Sequence, residues 1–426
     1  MPDLRLSEWE ARGPDCDLLR DRGIDDPAAR RLVAELKRQG VLDVEELRRG
    51  LRISSFSHVG RVRIDDLTIT ILPKIAPHEL LGLVRYAYGL RDLRRFAATD
   101  YQTSGSLFQD LIAAELLAEA RELIEAGIAR HYIEIHAELS TPRGRIDFGS
   151  LATRPNWDRA NVPCREYPRS TDILLNRVLR AGVELAADAA QDRTLAYDLK
   201  RTAATLGAIA GHAELTESTL AQAKRSITRL TTAYRPALRL IELLHWSSWL
   251  SLDGKRSVRL PGFLFDMNRF FQALVARFLR DHLDSLRVSE EQSLAGFLRY
   301  LPHHNPRGCK PPLPRPDFTV TAGDRVVTFL DAKYRDLWER DLPSSMLYQL
   351  AMYALSHGSV GTAAIIYPSR ADHASEAIIE IDDLENGGPR AQIALRPFDL
   401  NGIARIVAEQ DRARGAQVAR SLVYGS

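Results

Sequence analysis

The sequence predicts a multidomain protein of mixed α/β (α+β) class, and three observations carry that prediction. Its 426 residues exceed what one ordinary hydrophobic core organises, while 45% hydrophobic and 27% charged residues match a soluble globular composition. The apolar period shifts from 2 over residues 51–75 to helical spacing over about 170–250, and then to mixed strand and helix. Near residues 317–353, strand, helix and strand surround one cluster of charged side chains, which argues an α/β C-terminal domain.

Residues 1–50 read as a small helical leading module, with Leu32, Val33 and Leu36, then Val41, Val44 and Leu47, spaced for an apolar face. Val62 and Ile64, followed by Leu67, Ile69 and Ile71, alternate with polar residues around Asp65-Asp66, a β-hairpin pattern that Pro73-Lys74 ends. Helices are expected over 79–91 and 106–128, the second carried by Leu107, Leu111, Leu116, Leu117, Ala120 and Ile124 and stopped at Gly127. Tyr132, Ile133, Ile135 and the segment 143–148 return to β character. The chain thus divides into a mixed β/α region over 51–165, a helical section over 166–250 and a C-terminal domain over 251–426. In the last, a helix over 263–284 and a Pro-rich link from Pro302 to Pro316 precede two strands, a helix near 344–356 and strands at 362–367, 376–381 and 391–396.

Several function classes are excluded by what the sequence lacks. The 58 Lys and Arg nearly balance the 56 Asp and Glu, so global charge neither demands nor forbids nucleic acid. Cys16, Cys164 and Cys309 are odd in number and far apart, which fits a reducing cytoplasm and supports neither a disulfide framework nor a Cys-rich zinc site. His303 and His304 beside Cys309 lack a second ligand pair at zinc spacing. The start has no signal-peptide core, and no apolar run approaches the roughly 20 residues that span a bilayer. Neither a G-x-x-x-x-G-K-[ST] phosphate loop nor a G-x-S-x-G elbow is present, so nucleotide-driven work requires a partner and a serine hydrolase is unsupported.

The informative stretch is Arg315-Pro316-Asp317-Phe318-Thr319-Val320, followed by Val326-Val327-Thr328-Phe329-Leu330-Asp331-Ala332-Lys333. Two β-rich runs flank Ala322-Gly323-Asp324, an antiparallel hairpin whose turn near residue 323 or 324 sets Asp317 opposite Asp331. Lys333 follows Asp331 by two residues and shares its face. Any D-x-K triplet also fits an exposed cross-strand ion pair, but the apolar run before Asp331 marks a buried central strand, where carboxylates are seldom left unpaired. Paired carboxylates are hard ligands suited to Mg²⁺, and a lysine beside them orients water or offsets charge on a phosphate. The chemistry this favours is metal-assisted phosphodiester hydrolysis.

These residues resemble the PD-(D/E)xK nuclease superfamily, Pro316-Asp317 matching its first element and Asp331-Ala332-Lys333 its second. Tyr348-Gln349-Leu350-Ala351-Met352-Tyr353 is similar to the Q-x-x-x-Y helix of the RecB-like branch, which sets Gln349 and Tyr353 one turn apart, facing the site or bound DNA. Upstream, Gly60-Arg61-Val62, Ile69-Thr70-Ile71-Leu72-Pro73-Lys74-Ile75, Gly144-Arg145-Ile146-Asp147, Asp172-Ile173-Leu174-Leu175-Asn176-Arg177 and Phe263-Leu264-Phe265-Asp266-Met267-Asn268 resemble McrC in order and spacing. McrC is the endonuclease subunit of the McrBC modification-dependent restriction system. The resemblance implies a restriction-endonuclease-like C-terminal domain and Mg²⁺ held by Asp317 and Asp331. Lys333 then assists the attacking water, with Gln349 and Tyr353 supporting the site.

It further implies an N-terminal region that docks on a hexameric McrB-like AAA+ GTPase and stimulates it, and a double-stranded DNA substrate carrying modified cytosine. Arg61, Arg63, Arg143 and Arg145 are candidates for the docking surface. The superfamily often adds a Glu from the helix before the hairpin, whereas this sequence has Gln272 there, a neutral ligand. That departure keeps open an interaction subunit with a degraded site, beside a solitary RecB-like or Cas4-like nuclease. Eleven Lys and Arg against five Asp and Glu over residues 255–315, and eight Arg against four acids over 141–180, supply the local positive charge that phosphate binding needs.

Overall fold

The computed structural model describes residues 2–90, 108–153, 160–252, 256–259, 262–356, 361–369, 373–385 and 387–425. Leu107 of the expected second helix, and Arg154, Asp158, Arg159 and Lys255 of the charge-rich segments, lie outside the described residues. The chain forms two compact units, Met1–Arg91 with Leu264–Ser426, and Asp92–Phe263. This differs from the linear division at residues 50, 165 and 250, because the N-terminal strands pack with the C-terminal α/β domain instead of forming a separate region.

The leading segment is not a helical module. Only Pro27–Arg38 is helical there, capped by the Asp26 side chain with Pro27 at its first position. Val41 precedes, and Val44 and Leu47 lie on, the strand Leu42–Leu47, which pairs antiparallel with Gly50–Ser55. The 41–47 spacing fits period 2 as well as a short helix, so periodicity alone did not decide it. The expected hairpin is present as His58–Ile64 with Leu67–Leu72, turning at Asp65 with φ 52°. Asp3–Ser7 adds in parallel to its second strand and Gly262–Asp266 to its first, making four strands.

A six-stranded sheet organises the C-terminal part in the order Arg287–Glu290, Phe318–Ala322, Arg325–Ala332, Gly361–Ser369, Pro389–Asp399, Ala377–Asp382. The three strands from Arg325–Ala332 to Pro389–Asp399 run parallel, and the outer pairings are antiparallel. The helix Ser344–Leu355 covers one face through Leu350, Tyr353 and Ala354 against Phe329, Ile365 and Ile393. Met267–His282 places Phe271 and Phe278 edge-on against Phe398. The helix expected over 263–284 starts later, because residues 262–266 form a strand and the Asp266 carboxylate accepts from Asn268 N and Arg269 N as its cap.

The second unit contains the expected helices Leu174–Ala189, Arg193–Gly207, Glu217–Arg225 and Arg235–Ser248, joined by Phe108–Glu125. Short strands Ile135–Leu139, Val162–Glu166 and Arg145–Ile146 form a small antiparallel sheet. The Asp172–Arg177 motif is structural in this unit. Arg177 donates to both Asp172 oxygens at 2.6 and 2.7 Å. Fully buried Asn176 donates to Ala129 O and Thr171 O and accepts from Tyr234 O–H at 2.6 Å. Removing that amide strands buried backbone acceptors and a phenol, so Asn176→Ala is expected to lower stability by about 2–4 kcal/mol in urea unfolding. A loss below about 0.5 kcal/mol would contradict this role.

Candidate active site

The site forms at the carboxyl end of the buried strand Arg325–Ala332. Its antiparallel partner Phe318–Ala322 pairs Phe318 with Leu330 and Val320 with Thr328, and a one-residue shift after Val320 lets Gly323 (φ 60°) and Asp324 close the turn. Extending the pairing one step sets Asp317 across from Asp331, as the hairpin arithmetic requires. Asp317 itself precedes the strand, and one carboxylate oxygen accepts from Ala332 N at 2.9 Å.

Lys333 Nζ lies 2.8 Å from Asp331 Oδ2 and 3.5 Å from Asp317 Oδ2. The three residues singled out in the sequence therefore meet at one point. Asp331 is 2% exposed, and its Oδ1 is buried without a hydrogen-bond partner among the described residues. Burial first, and the neighbouring Asp331 charge second, push the Asp317 carboxyl up to about 6, against the downward pull of Lys333 and the Ala332 N–H. Burial works against the Lys333 ammonium, but the attraction of both carboxylates outweighs it and holds its pKa above the ordinary lysine value.

The helix Ser344–Leu355 supports this cluster indirectly. Exposed Gln349 donates from Nε2 to the Tyr353 hydroxyl at 2.8 Å, and buried Tyr353 donates to Arg315 O at 2.8 Å. That chain fixes the backbone two residues before Asp317. Burial raises the Tyr353 phenol pKa, and the carboxylates of Asp331 and Asp317 add to it.

A cleft of about 480 Å³ opens on the site, lined by Asp317, Lys333, Gln272, Asn268 and, from connections between the N-terminal strands, Trp9 and Phe56. Gln272 thus lines the same cleft as Asp317 and Lys333. The N-terminal residues were invisible to sequence reasoning, since more than 250 residues separate them from the hairpin and no local pattern marks them. They are held closely. Tyr334, the neighbour of Lys333, donates to Glu8 Oε2 at 3.0 Å, and Arg340 donates to Trp9 O at 3.2 Å.

The donor set fits a divalent cation. The unpartnered Asp331 oxygen, and a second carboxyl raised by burial and then by the Asp331 charge, are the marks of a hard-ligand pair that has one lysine as counterion among the described residues. Asp317 and Asp331 would hold the ion, with the Gln272 amide as a neutral neighbour. No cluster of three or more His, Cys, Asp or Glu able to hold a metal occurs among the described residues, so remaining positions would fall to water or substrate.

A family model described as McrBC 5-methylcytosine restriction system component matches residues 53–368. Among solved structures, one titled as a refined half-complex from a tetradecameric assembly of Thermococcus gammatolerans McrB AAA+ hexamers with bound McrC aligns with a TM-score of 0.61 at 20% identity. It covers 96% of this chain and 100% of the other. A cryo-EM structure of the Thermococcus gammatolerans McrBC complex aligns at 0.49 and 18% identity, over 67% of this chain and 89% of the other. No curated protein matches.

Since the Asp317 pKa in the folded state lies above its ordinary value of 3.8, its favourable contribution is complete below about pH 4 and is lost as pH rises through about 6. Asn lacks this titration. In EDTA, the stability of Asp317→Asn relative to wild type should therefore rise by about 1–3 kcal/mol between pH 4 and pH 8, measured by urea unfolding. A difference that is flat with pH would refute the raised carboxyl.

Proposed function

The chain belongs to the McrBC 5-methylcytosine restriction system component family, and from that premise we propose that it is the McrC-type nuclease subunit: a Mg²⁺-dependent endonuclease that docks on an McrB-like AAA+ GTPase and cuts DNA carrying modified cytosine. The convergence of Asp317, Asp331 and Lys333 at one strand end carries this reading. The absence of a phosphate loop supports assignment to the McrC side of such a system, leaving GTP to the partner. Three free cysteines, and no described helix long and apolar enough to cross a membrane, agree with work on DNA in the cytoplasm.

A bound Mg²⁺ supplies Lewis acidity toward the phosphate and a more acidic water. The protein's own groups do the rest. Asp317 and Asp331 present oxygens to the cation. Lys333, kept as an ammonium by its carboxylate neighbours, is unsuited to abstract a proton; it orients the attacking water and offsets charge developing on the phosphate. Tyr353, with Gln349 behind it, holds the Arg315 carbonyl and hence Asp317 in place.

The docking surface belongs to the small sheet region of the second unit. Tyr132, Ile133, Ile135, Phe148 and Tyr167 are exposed there, together with Arg143 and Arg145, as in an apolar contact patch with a basic rim. Asp147 accepts from Ser150 N and from Arg165, which together hold its carboxyl down at about 2. This patch suits docking better than Arg61 and Arg63.

The test is cleavage of methylated plasmid with Mg²⁺ and GTP, with and without the AAA+ partner. Lys333→Ala should cut at least about 100-fold more slowly, and Asp331→Ala should lose cutting while still accelerating the partner's GTPase. Wild-type protein that speeds GTP turnover without cutting would favour an interaction subunit, and partner-independent cutting would favour a solitary nuclease. Gln272→Glu adds a charged ligand and should lower the Mg²⁺ concentration at half-maximal cutting. An unchanged Mg²⁺ requirement would place Gln272 outside the metal's reach.

A further inference from the structure

The wall of the cleft facing Asp317 and Lys333 is built from residues that the nuclease chemistry leaves unused. Trp9 sits at φ 60°, a left-handed conformation that is costly for a bulky residue and persists only where its surroundings impose it. Three contacts impose it: Trp9 N donates to Phe56 O at 3.3 Å, Arg340 donates to Trp9 O, and the indole meets the Phe56 ring edge-on at 5.8 Å. The guanidinium carbons of Arg335 and Arg340 lie 5.8 and 5.6 Å from the indole centroid. Two donors in this wall, Trp9 Nε1 and Arg335 Nε, are enclosed and have no hydrogen-bond partner among the described residues. Both residues line the same cleft as Asp317 and Lys333.

Two unsatisfied donors, one of them cationic, call for an anionic acceptor. Resting on the nuclease reading above, we propose that Trp9 and Arg335 form a phosphate-binding subsite for the DNA backbone, holding a phosphate adjacent to the scissile one. Arg335 meets the indole through an exchangeable cation–π contact. In this subsite a phosphate takes the place of the missing acceptor for the two N–H groups, while Arg340 keeps the Trp9 backbone in place. Trp9 and Arg335 are positioning residues for substrate and take no part in bond breaking.

The experiment measures binding of a fluorescein-labelled 30-base-pair methylated duplex by anisotropy in Ca²⁺, over a series of salt concentrations, with the full chain. Trp9→Phe keeps the ring and removes the donor, and Arg335→Gln removes the charge. Each should weaken binding about 10-fold. Arg335→Gln should also reduce the magnitude of the log–log salt slope by about one, while Trp9→Phe leaves it unchanged. Wild-type affinity in both variants, with wild-type melting temperatures, would overturn the subsite. Should Trp9→Phe fail to fold, Arg335→Gln alone decides through the salt slope. Lys333→Ala in parallel separates the two readings: lost cutting beside unchanged Trp9→Phe and Arg335→Gln binding overturns the subsite and spares the nuclease. Wild-type cutting by Lys333→Ala overturns the proposed chemistry, and no duplex binding by wild type overturns both.

Discussion

Two carboxylates brought together in a buried place repel each other, and that repulsion is the constraint around which the C-terminal domain is arranged. In a low-dielectric strand end, an isolated charge costs several kcal/mol, and a second like charge adds to it. Lys333 offsets part of this by touching both acids, and Asp317 answers the remainder with a pKa near 6. The arrangement survives because its main supports are independent of the charges. The hairpin register and the Gln349–Tyr353–Arg315 chain fix position through backbone geometry and neutral hydrogen bonds, and the Ala332 N–H adds a charge-assisted bond to Asp317. On the proposed reading, a cation placed between the two carboxylates would relieve this cost, so the fold itself would favour its binding.

The path of the chain gives this site a second dependence. Residues 1–91 build strands within the same unit as the sheet, the chain then forms the separate 92–263 unit, and it returns at Leu264. Glu8, 1% exposed, accepts from Tyr334, the residue after Lys333. Met267 N reaches Ser57 O, and Asn268 binds the Ser57 hydroxyl. A fragment beginning at residue 251 would keep every motif residue, yet it would lose one wall of the cleft and leave Tyr334 without this acceptor. The nuclease motif is compact in sequence, whereas the structure that encloses it is not.

That contrast explains what was legible. The hairpin, its turn, the opposition of Asp317 and Asp331 and the helix Ser344–Leu355 follow from local periodicity and two-residue alternation, and all appear where expected. The middle helices were equally clear, because a sustained 3.6 period has no strand interpretation. The leading segment was misread as helical where Val41, Val44 and Leu47 fit both periods over too short a run. Trp9, Phe56 and Glu8 had no signal at all. Their roles arise from packing across hundreds of residues, and a lone tryptophan near a chain start is indistinguishable from core until its neighbours are known. The Asp172–Arg177 segment was readable as a motif but not as a physical device; only the structure gives its asparagine three partners.

Gln272 fits the same electrostatic account. With both carboxylates ionised and Lys333 an ammonium, the metal-free cluster would carry a single net negative charge, and burial together with the Asp331 charge already raises Asp317. A glutamate lining the same cleft would double that charge in a partly buried setting, driving at least one acid further toward protonation. The amide keeps an oxygen within the cleft without that repulsion, at the expense of a weaker electrostatic hold on a cation. It also shifts work elsewhere. On the proposed reading, fewer protein charges around a bound ion would leave more of its neutralisation to substrate phosphate, and residues that position the phosphate would gain importance relative to those that hold the metal. Trp9 and Arg335 line the same cleft as Gln272, so under the proposed subsite the amide in place of an acid and the aromatic, cationic wall would serve the same substrate phosphates.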